Sequence, residues 1–432
     1  MLFLFLPSNH RLVLTSEVAT GFCGTVFVVL NRIVLSIIWF GVQSWQGGLM
    51  TYVCLRAIWP SIDNIPNTIP ASTGMTLPQF VGFIVYFVIQ LPFLLLDPKR
   101  VRYLLYSAAI GGFFVQLVLV SWACGTRGKD GFGDVLSSGT RLSGKTLGWM
   151  FVYGVTVTMS TITSGTASVC DYTRFARRPS SATWSQGMGA LPAWLSNIFG
   201  VLTIAATQKR YGSELWSVAS LLIAIQTADS SSATRVAVFF CGLFFGISQL
   251  ALNIAGNSFS GGTDMATLLP RYINIRRGQY ITAILGLVIN PWYLLSGAVV
   301  FISVMSAYTV FIQPFLGILV AQYFIVQRRR LKVADLYVTG QKSIYWYTCG
   351  VNWRAVVAVS VHNLDSGLEQ LVLMIVQVVF WHRSSCGRFG EYRQSIHLCV
   401  HRRVSNVLSL RSNRILHPSV VFLARHIHGA NF

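Results

Sequence analysis

The sequence predicts an all-α protein that crosses a membrane several times. Three observations carry this reading. Charged residues make up 11% of the 432 residues and hydrophobic ones 53%, where an ordinary soluble domain carries roughly 25% charge. Apolar runs of about 20 residues recur, each long enough to cross about 30 Å of hydrocarbon as a helix. Strongly basic clusters follow every second run, as they do when alternate loops face the cytoplasm. A larger soluble core does not explain the deficit of charge, because the surface of such a core must still be covered. The runs are continuous rather than alternating, which argues against a β-barrel.

Taken in order, residues 1–23 are irregular and residues 24–358 form a transmembrane domain. The first span covers about 24–56, with Arg32 near its start and Arg56 near its end. A Pro-rich loop over 57–78 contains NIPNTIP. The second span, about 79–96, ends at DPKR, and the third is about 103–124. A Gly/Ser/Lys loop fills 125–145. The fourth span, about 147–169, ends in CDYTRFARR, and the fifth is about 189–207. A polar loop with an amphipathic stretch near 214–226 leads to the sixth, about 236–260. The seventh, about 279–303, holds Pro291 and Trp292. The eighth, about 305–326, ends at QRRRLK. Lys99/Arg100/Arg102, Arg174/Arg177/Arg178, Arg271/Arg276/Arg277 and Arg328/Arg329/Arg330 follow the second, fourth, sixth and eighth spans. The positive-inside rule makes those ends cytoplasmic.

The net charge of +20 therefore belongs to cytoplasmic loops and anionic lipid, not to nucleic acid. The eight cysteines show no CxxC spacing, so neither a metal site nor a disulfide frame is expected. The start, MLFLFLPSNHRL, lacks the basic region of a signal peptide. Residues 359–432 differ from the rest. Seven of eight histidines lie at or beyond His362, and Leu368–Trp381 is short for a span. This stretch reads as a basic arm or a misread end of the gene.

Catalytic chemistry finds no candidates: there is no Ser/His/Asp set at membrane depth, no HExxH and no phosphate-cradling Gly loop. The chain is not expected to be an enzyme or to hold a cofactor. Binding does find candidates. The sixth span runs into LALNIAGNSFSGGTDMATLLPRYINIRRGQY, residues 250–280, delivering Asn257 where hydrocarbon ends. Gly256, Gly261 and Gly262 there allow close approach of a helix or a ligand. Trp39 and Gln43 are four apart and share one helix face. An indole stacks on a planar ring, and a carboxamide pairs with an adjacent N–H and C=O. Uracil, allantoin and hydantoins offer that edge. Helix packing explains each of the three residues equally well taken singly. Asp171 and Asp264 sit at cytoplasmic span ends near basic clusters, where a structural role in loop–helix electrostatics is expected. Gly165, among Ser164, Thr166, Ala167 and Ser168, points to a weakened helix, which is tolerated at membrane depth where it lines a cavity.

The motifs WFGVQSWQGG (39–48), IWPSIDNIPNTIPASTGMT (58–76), CDYTRFARRP (170–179), NSFSGGTDMATLLPRYINIRRGQYI (257–281), PWYLLSG (291–297), LYV (336–338) and YWYTCGVNWRA (345–355) resemble the fungal uracil/allantoin/uridine permease branch of the nucleobase–cation symporter-1 family. The resemblance implies the LeuT-type fold, two inverted five-helix repeats around a midplane substrate. It implies a symporter of a nucleobase or related compound, uracil foremost, coupled to protons rather than Na⁺, in the plasma membrane. Trp39, Gln43 and Asn257 match the positions that stack on and hydrogen-bond the nucleobase, and Tyr308 falls in the region of the outer gate. The first and sixth spans correspond to the family's third and eighth. Departures are also visible. The family's first two helices have no counterpart here, Gln322 stands where an acid is common, and Ala255 stands where a polar residue is frequent. A non-transporting remnant or ligand sensor is the alternative expectation.

Overall fold

In the computed structural model, the described residues are 18–70, 73–126, 178–295, 315–328, 330–338 and 342–357, with short pieces between 131 and 176. Among them, five helices are long and apolar enough to cross a membrane: Phe22–Ile58, Leu77–Leu95, Arg100–Gly125, Gly187–Tyr211 and Ser232–Leu268. They correspond to the expected first, second, third, fifth and sixth spans. Most of the expected fourth span, residues 152–169, and the stretch 359–432 lie outside the described residues.

Helix α1, Phe22–Ile58, has 37 residues. At 1.5 Å per residue it is about 55 Å long, well beyond the bilayer core. It is the axis of the packing. Helix α2 (Leu77–Gln90) runs back along it and ends in a 3₁₀ turn, Leu91–Leu95. Thr76 and Gln79 close a capping box at the α2 start, with the Thr76 N–H donating to Gln79 Oε1 at 2.9 Å. The box satisfies N–H groups that would otherwise be orphaned at a helix start. Small residues let these two helices touch along their backbones. A Cβ on Gly48 would lie 2.5 Å from Phe83 Cα, and one on Gly82 would lie 2.7 Å from the Gly48 carbonyl. In a bilayer, where water supplies no drive to associate, such close packing is what holds helices together.

Helices α3 (Pro98–Gly125), α4 (Pro179–Tyr211) and α5 (Val218–Ala228) follow. The last is the amphipathic stretch expected near 214–226. Helix α6, Ser232–Leu252, passes through a π turn at Asn253–Ser258 into α7, Phe259–Leu268. Two apolar clusters tie these elements to α1. Phe40, Tyr86, Leu250, Ile254 and Ala283 form one. Met50, Val53, Leu119, Leu222 and Val238 form the other.

The expected seventh span is interrupted. Helix α8 covers Ile275–Val288 and α9 restarts at Pro291–Leu295. Asn290 between them has φ 53°. Proline has no N–H to continue a ladder but fits the first turn of a new helix, so the break falls in front of it. Trp292 of α9 then packs edge-on against Phe80 and Phe83 of α2, with ring centroids 5.9 Å away in each case. Of the expected eighth span, the part described is α10, Phe315–Val326.

Hydrogen bonds show which helix ends lie together. Arg235 at the α6 start donates to the Ala57 carbonyl at the α1 end, 2.7 Å away, so α1 and α6 are antiparallel. At the opposite end, Arg276 pairs with Asp97 at 3.4 Å. Two of the basic clusters, those after the second and sixth spans, therefore share one end of the bundle. The segment 343–355 also reaches this end. The Tyr347 hydroxyl donates to the Val18 carbonyl at 2.6 Å, and Asn352 Nδ2 donates to the Ala19 carbonyl at 2.8 Å. The Gly350 carbonyl accepts from Cys23 N–H at 2.8 Å. It takes the place of a side-chain cap, since Gly21 offers none. Gly21 (φ 81°) approaches it so closely that a Cβ there would lie 2.6 Å from the Gly350 oxygen.

Candidate functional site

The site is assembled from amides that sit on apolar helices. Helix α1 carries Trp39, Gln43 and Ser44, α2 carries Gln90 at its last position, and the π turn carries Asn253 and Asn257. A π turn widens the helix locally, a distortion that often marks functional sites. Here it spans both asparagines. The Tyr172 hydroxyl donates to the Ala255 carbonyl in the same turn. Tyr172 belongs to the CDYTRFARRP motif.

Two of the three residues expected from sequence are in direct contact. Asn257 Nδ2 donates to Gln43 Oε1 at 2.8 Å. Both side chains are half-buried, and Trp39, also half-buried, lies one turn earlier than Gln43 on the same face of α1. The site extends inward to residues that the sequence reading passed over. Asn257 Nδ2 also donates to Asn253 Oδ1 at 3.0 Å. Asn253 Nδ2 faces Ser44 Oγ at 3.0 Å, Gln90 Oε1 at 3.1 Å and the Phe40 carbonyl at 3.2 Å. Gln90 Nε2 donates to Ser44 Oγ at 2.9 Å. Asn253 and Gln90 are 0% exposed. Buried amides are costly unless bonded, and these are satisfied by one another. The signal for Asn253 was present in the sequence, since it is four before Asn257 and on its face. Gln90 gave no such signal, because its partners lie on other helices.

Asp264 was expected at a cytoplasmic span end, in a structural role near the Arg271–Arg277 cluster. It lies within α7, fully buried, and pairs with Arg32 of α1 at 3.2 Å, the two side chains being 1% and 5% exposed. Arg32 also donates to Ser260 Oγ at 3.3 Å. The reason is the pitch of α7, which turns Asp264 inward toward α1 while the basic cluster continues past the helix end. Gly261 and Gly262 let α7 approach α8 closely. A Cβ on Gly261 would meet Thr282 Oγ1 at 2.7 Å, and one on Gly262 the Ile275 carbonyl at 2.6 Å. By contrast, among the described residues a Cβ on Gly256 would have only Leu252 Cδ1 nearby, at 3.8 Å. Asp171, Tyr308 and the Gly165 stretch lie outside the described residues.

A helical bundle whose spanning helices bury a cluster of uncharged amides, part of it open, defines an integral membrane protein with a polar site between helices. Comparison with known proteins gives the family. The family described as permeases for cytosine/purines, uracil, thiamine and allantoin matches residues 11–365, and the chain belongs to it. The transporter aclS of Aspergillus oryzae is 34% identical over 388 residues, 81% of this chain and 62% of that one. The uracil permease of Saccharomyces cerevisiae is 30% identical over 352 residues, 80% and 55% of the two chains. The chain thus spans little more than half the length of such relatives. Among solved structures, Mhp1, a nucleobase–cation symporter-1 transporter in a closed conformation with bromovinylhydantoin bound, superposes with a TM-score of 0.63. The match covers 88% of this chain and 80% of Mhp1 at 21% identity. That likeness shows the fold, which is of the LeuT type.

Proposed function

We propose that the protein is a plasma-membrane symporter for a planar, hydrogen-bonding ring compound, with uracil first among candidates and allantoin or uridine next. The observation that carries this reading is the Asn257–Gln43 hydrogen bond of 2.8 Å, formed one helical turn from Trp39. Two carboxamides beside an indole give a ring both an edge to pair with and a face to stack on. The substrates for which the family is described, and the uracil permease relative, support the same class of cargo. Coupling to protons rather than Na⁺ completes the proposal. An inside-negative potential contributes about 2.3 kcal/mol per charge per 100 mV to such uptake.

Transport then follows from alternate exposure of a fixed site, with α1 and α6–α7 as the stationary wall. Tyr308 is proposed to close the outer side, and Asp171 to hold the cytoplasmic end together. Uptake of labelled uracil by cells expressing the chain tests the reading. It should require Trp39 and Asn257, collapse with a protonophore and ignore Na⁺. Normal uptake in both Trp39→Ala and Asn257→Ala sinks the site assignment.

A further inference from the structure

We infer that a buried relay through Asn253, anchored on a backbone carbonyl, sets which atoms the candidate site offers to its ligand. The inference rests on the reading of Gln43 and Asn257 as ligand-facing.

The argument follows the hydrogens. The Phe40 carbonyl can only accept. The Asn253 amide group faces it at 3.2 Å and also faces Ser44 Oγ at 3.0 Å and Gln90 Oε1 at 3.1 Å. The end of Asn253 that points at α1 and α2 is therefore its NH2. Its oxygen must then point the other way, toward Asn257, 3.0 Å off. Asn257 has to answer an oxygen with its own NH2. The same NH2 lies 2.8 Å from Gln43, so Gln43 presents its oxygen there. An NH2 carries two hydrogens, and both on Asn257 are now committed, one to Asn253 and one to Gln43.

Among the described residues, two groups are left over at the half-buried end: the Asn257 oxygen, an acceptor, and the Gln43 NH2, a donor. Carried by two side chains that are hydrogen-bonded to each other, they complement an N–H next to a C=O, the edge of a cyclic imide, lactam or ureide. The ligand's N–H is directed to Asn257 and its C=O to Gln43. Ser44 and Gln90 hold the Asn253 amide against reversal, because Gln90 Nε2 donates to Ser44 Oγ at 2.9 Å and leaves Gln90 Oε1 to accept from Asn253. Asn253, Ser44 and Gln90 are thus positioning residues. They touch no ligand, but without them the two outer amides rotate freely and pair with the ligand edge only part of the time.

Equilibrium binding to the full chain in membranes tests this, with uracil and hydantoin each compared with its N,N′-dimethyl derivative, which keeps the ring but has no N–H. The variants are Asn253→Ala and the milder Ser44→Ala, which removes a single oxygen. Asn253→Ala should weaken the parent rings about tenfold, the loss of one or two aligned hydrogen bonds. Ser44→Ala should weaken them by about threefold on the same scale. The dimethyl compounds keep only the carbonyl that meets the Gln43 NH2, so their binding should fall less, and the preference for the parent ring narrows. A general loosening of the fold would weaken both kinds of ligand in parallel. An unchanged preference in whichever variants reach the membrane overturns the relay alone. A wild-type chain with no preference for the parent rings overturns the substrate reading and the relay together.

Discussion

Two of the polar places where helix α1 meets the α6–α7 rod are built in opposite ways. At the Gln43–Asn257 site every partner is uncharged, the outer side chains are half-buried, and the amides satisfy one another. About three turns away along α1 and two along α6–α7, Arg32 and Asp264 meet as a sealed ion pair. The neutral cluster can lose a ligand and gain one, since no charge is stranded when the open end changes partner. The ion pair has no such freedom, because each charge depends on the other for its solvation. One contact is suited to exchanging guests and the other to fixing the helices.

That contrast can be broken most forcefully at the pair. Replacing one member, as in Asp264→Leu or Arg32→Met, should destabilise the chain by about 3–5 kcal/mol, because a lone charge remains buried. The protein level in membranes should fall sharply. Replacing both at once should restore much of it, and a double variant as unstable as the singles would show that charge is not the issue. Next in size is the α1–α2 seam that brings Gln90 to Ser44. Gly48→Val forces side-chain atoms into the Phe83 backbone and should cost about 1–3 kcal/mol by overpacking, read as a lower melting temperature in detergent.

At the neutral site, the effect should fall on binding and not on stability. Gln43→Ala removes a half-buried amide and should lower uracil affinity at least about tenfold with the protein level unchanged. A fall in level equal to that of Asp264→Leu would erase the distinction between the two contacts. The smallest effect is expected at Arg276–Asp97, the same type of pair left in water, with side chains 64% and 60% exposed. Arg276→Ala should change stability by less than about 1 kcal/mol, and a loss rivalling that at Arg32 would mean that burial is not what gives the inner pair its weight.

Acidification probes the loop before α6. Hydrogen bonds from Thr234 and then Ser231 hold the Asp229 carboxyl below its ordinary range. A depressed carboxylate contributes stability above its unfolded pKa and loses it as pH falls through the folded value. The start of α6 should therefore hold through mildly acidic pH and loosen only below the usual carboxylate range. Amide exchange at residues 231–235 reads this out.

Much of the bundle could be read from residues alone, and so could part of the site. The expected first span of 24–56 became Phe22–Ile58, and the third, 103–124, became Pro98–Gly125. Asn257 and Gln43 were expected to face one cavity and are in contact. The seventh span was read as continuous because its hydropathy is continuous, whereas the backbone breaks ahead of Pro291. Asp264 was placed at a span end beside basic residues in sequence, and its ion-pair partner in space is Arg32 of another helix.

The sequence by itself determined where helices cross, which ends carry basic charge, and which amides interrupt apolar runs. Hydropathy and charge add up along a chain, so a one-dimensional reading recovers them. Only the tertiary structure decided the partners: Gln90 to Ser44, Asn253 to the Phe40 carbonyl, Arg32 to Asp264. A hydrogen bond depends on the rotation and depth of two helices relative to each other. That arrangement is set by backbone contacts such as Gly48 against Phe83, which no single segment encodes.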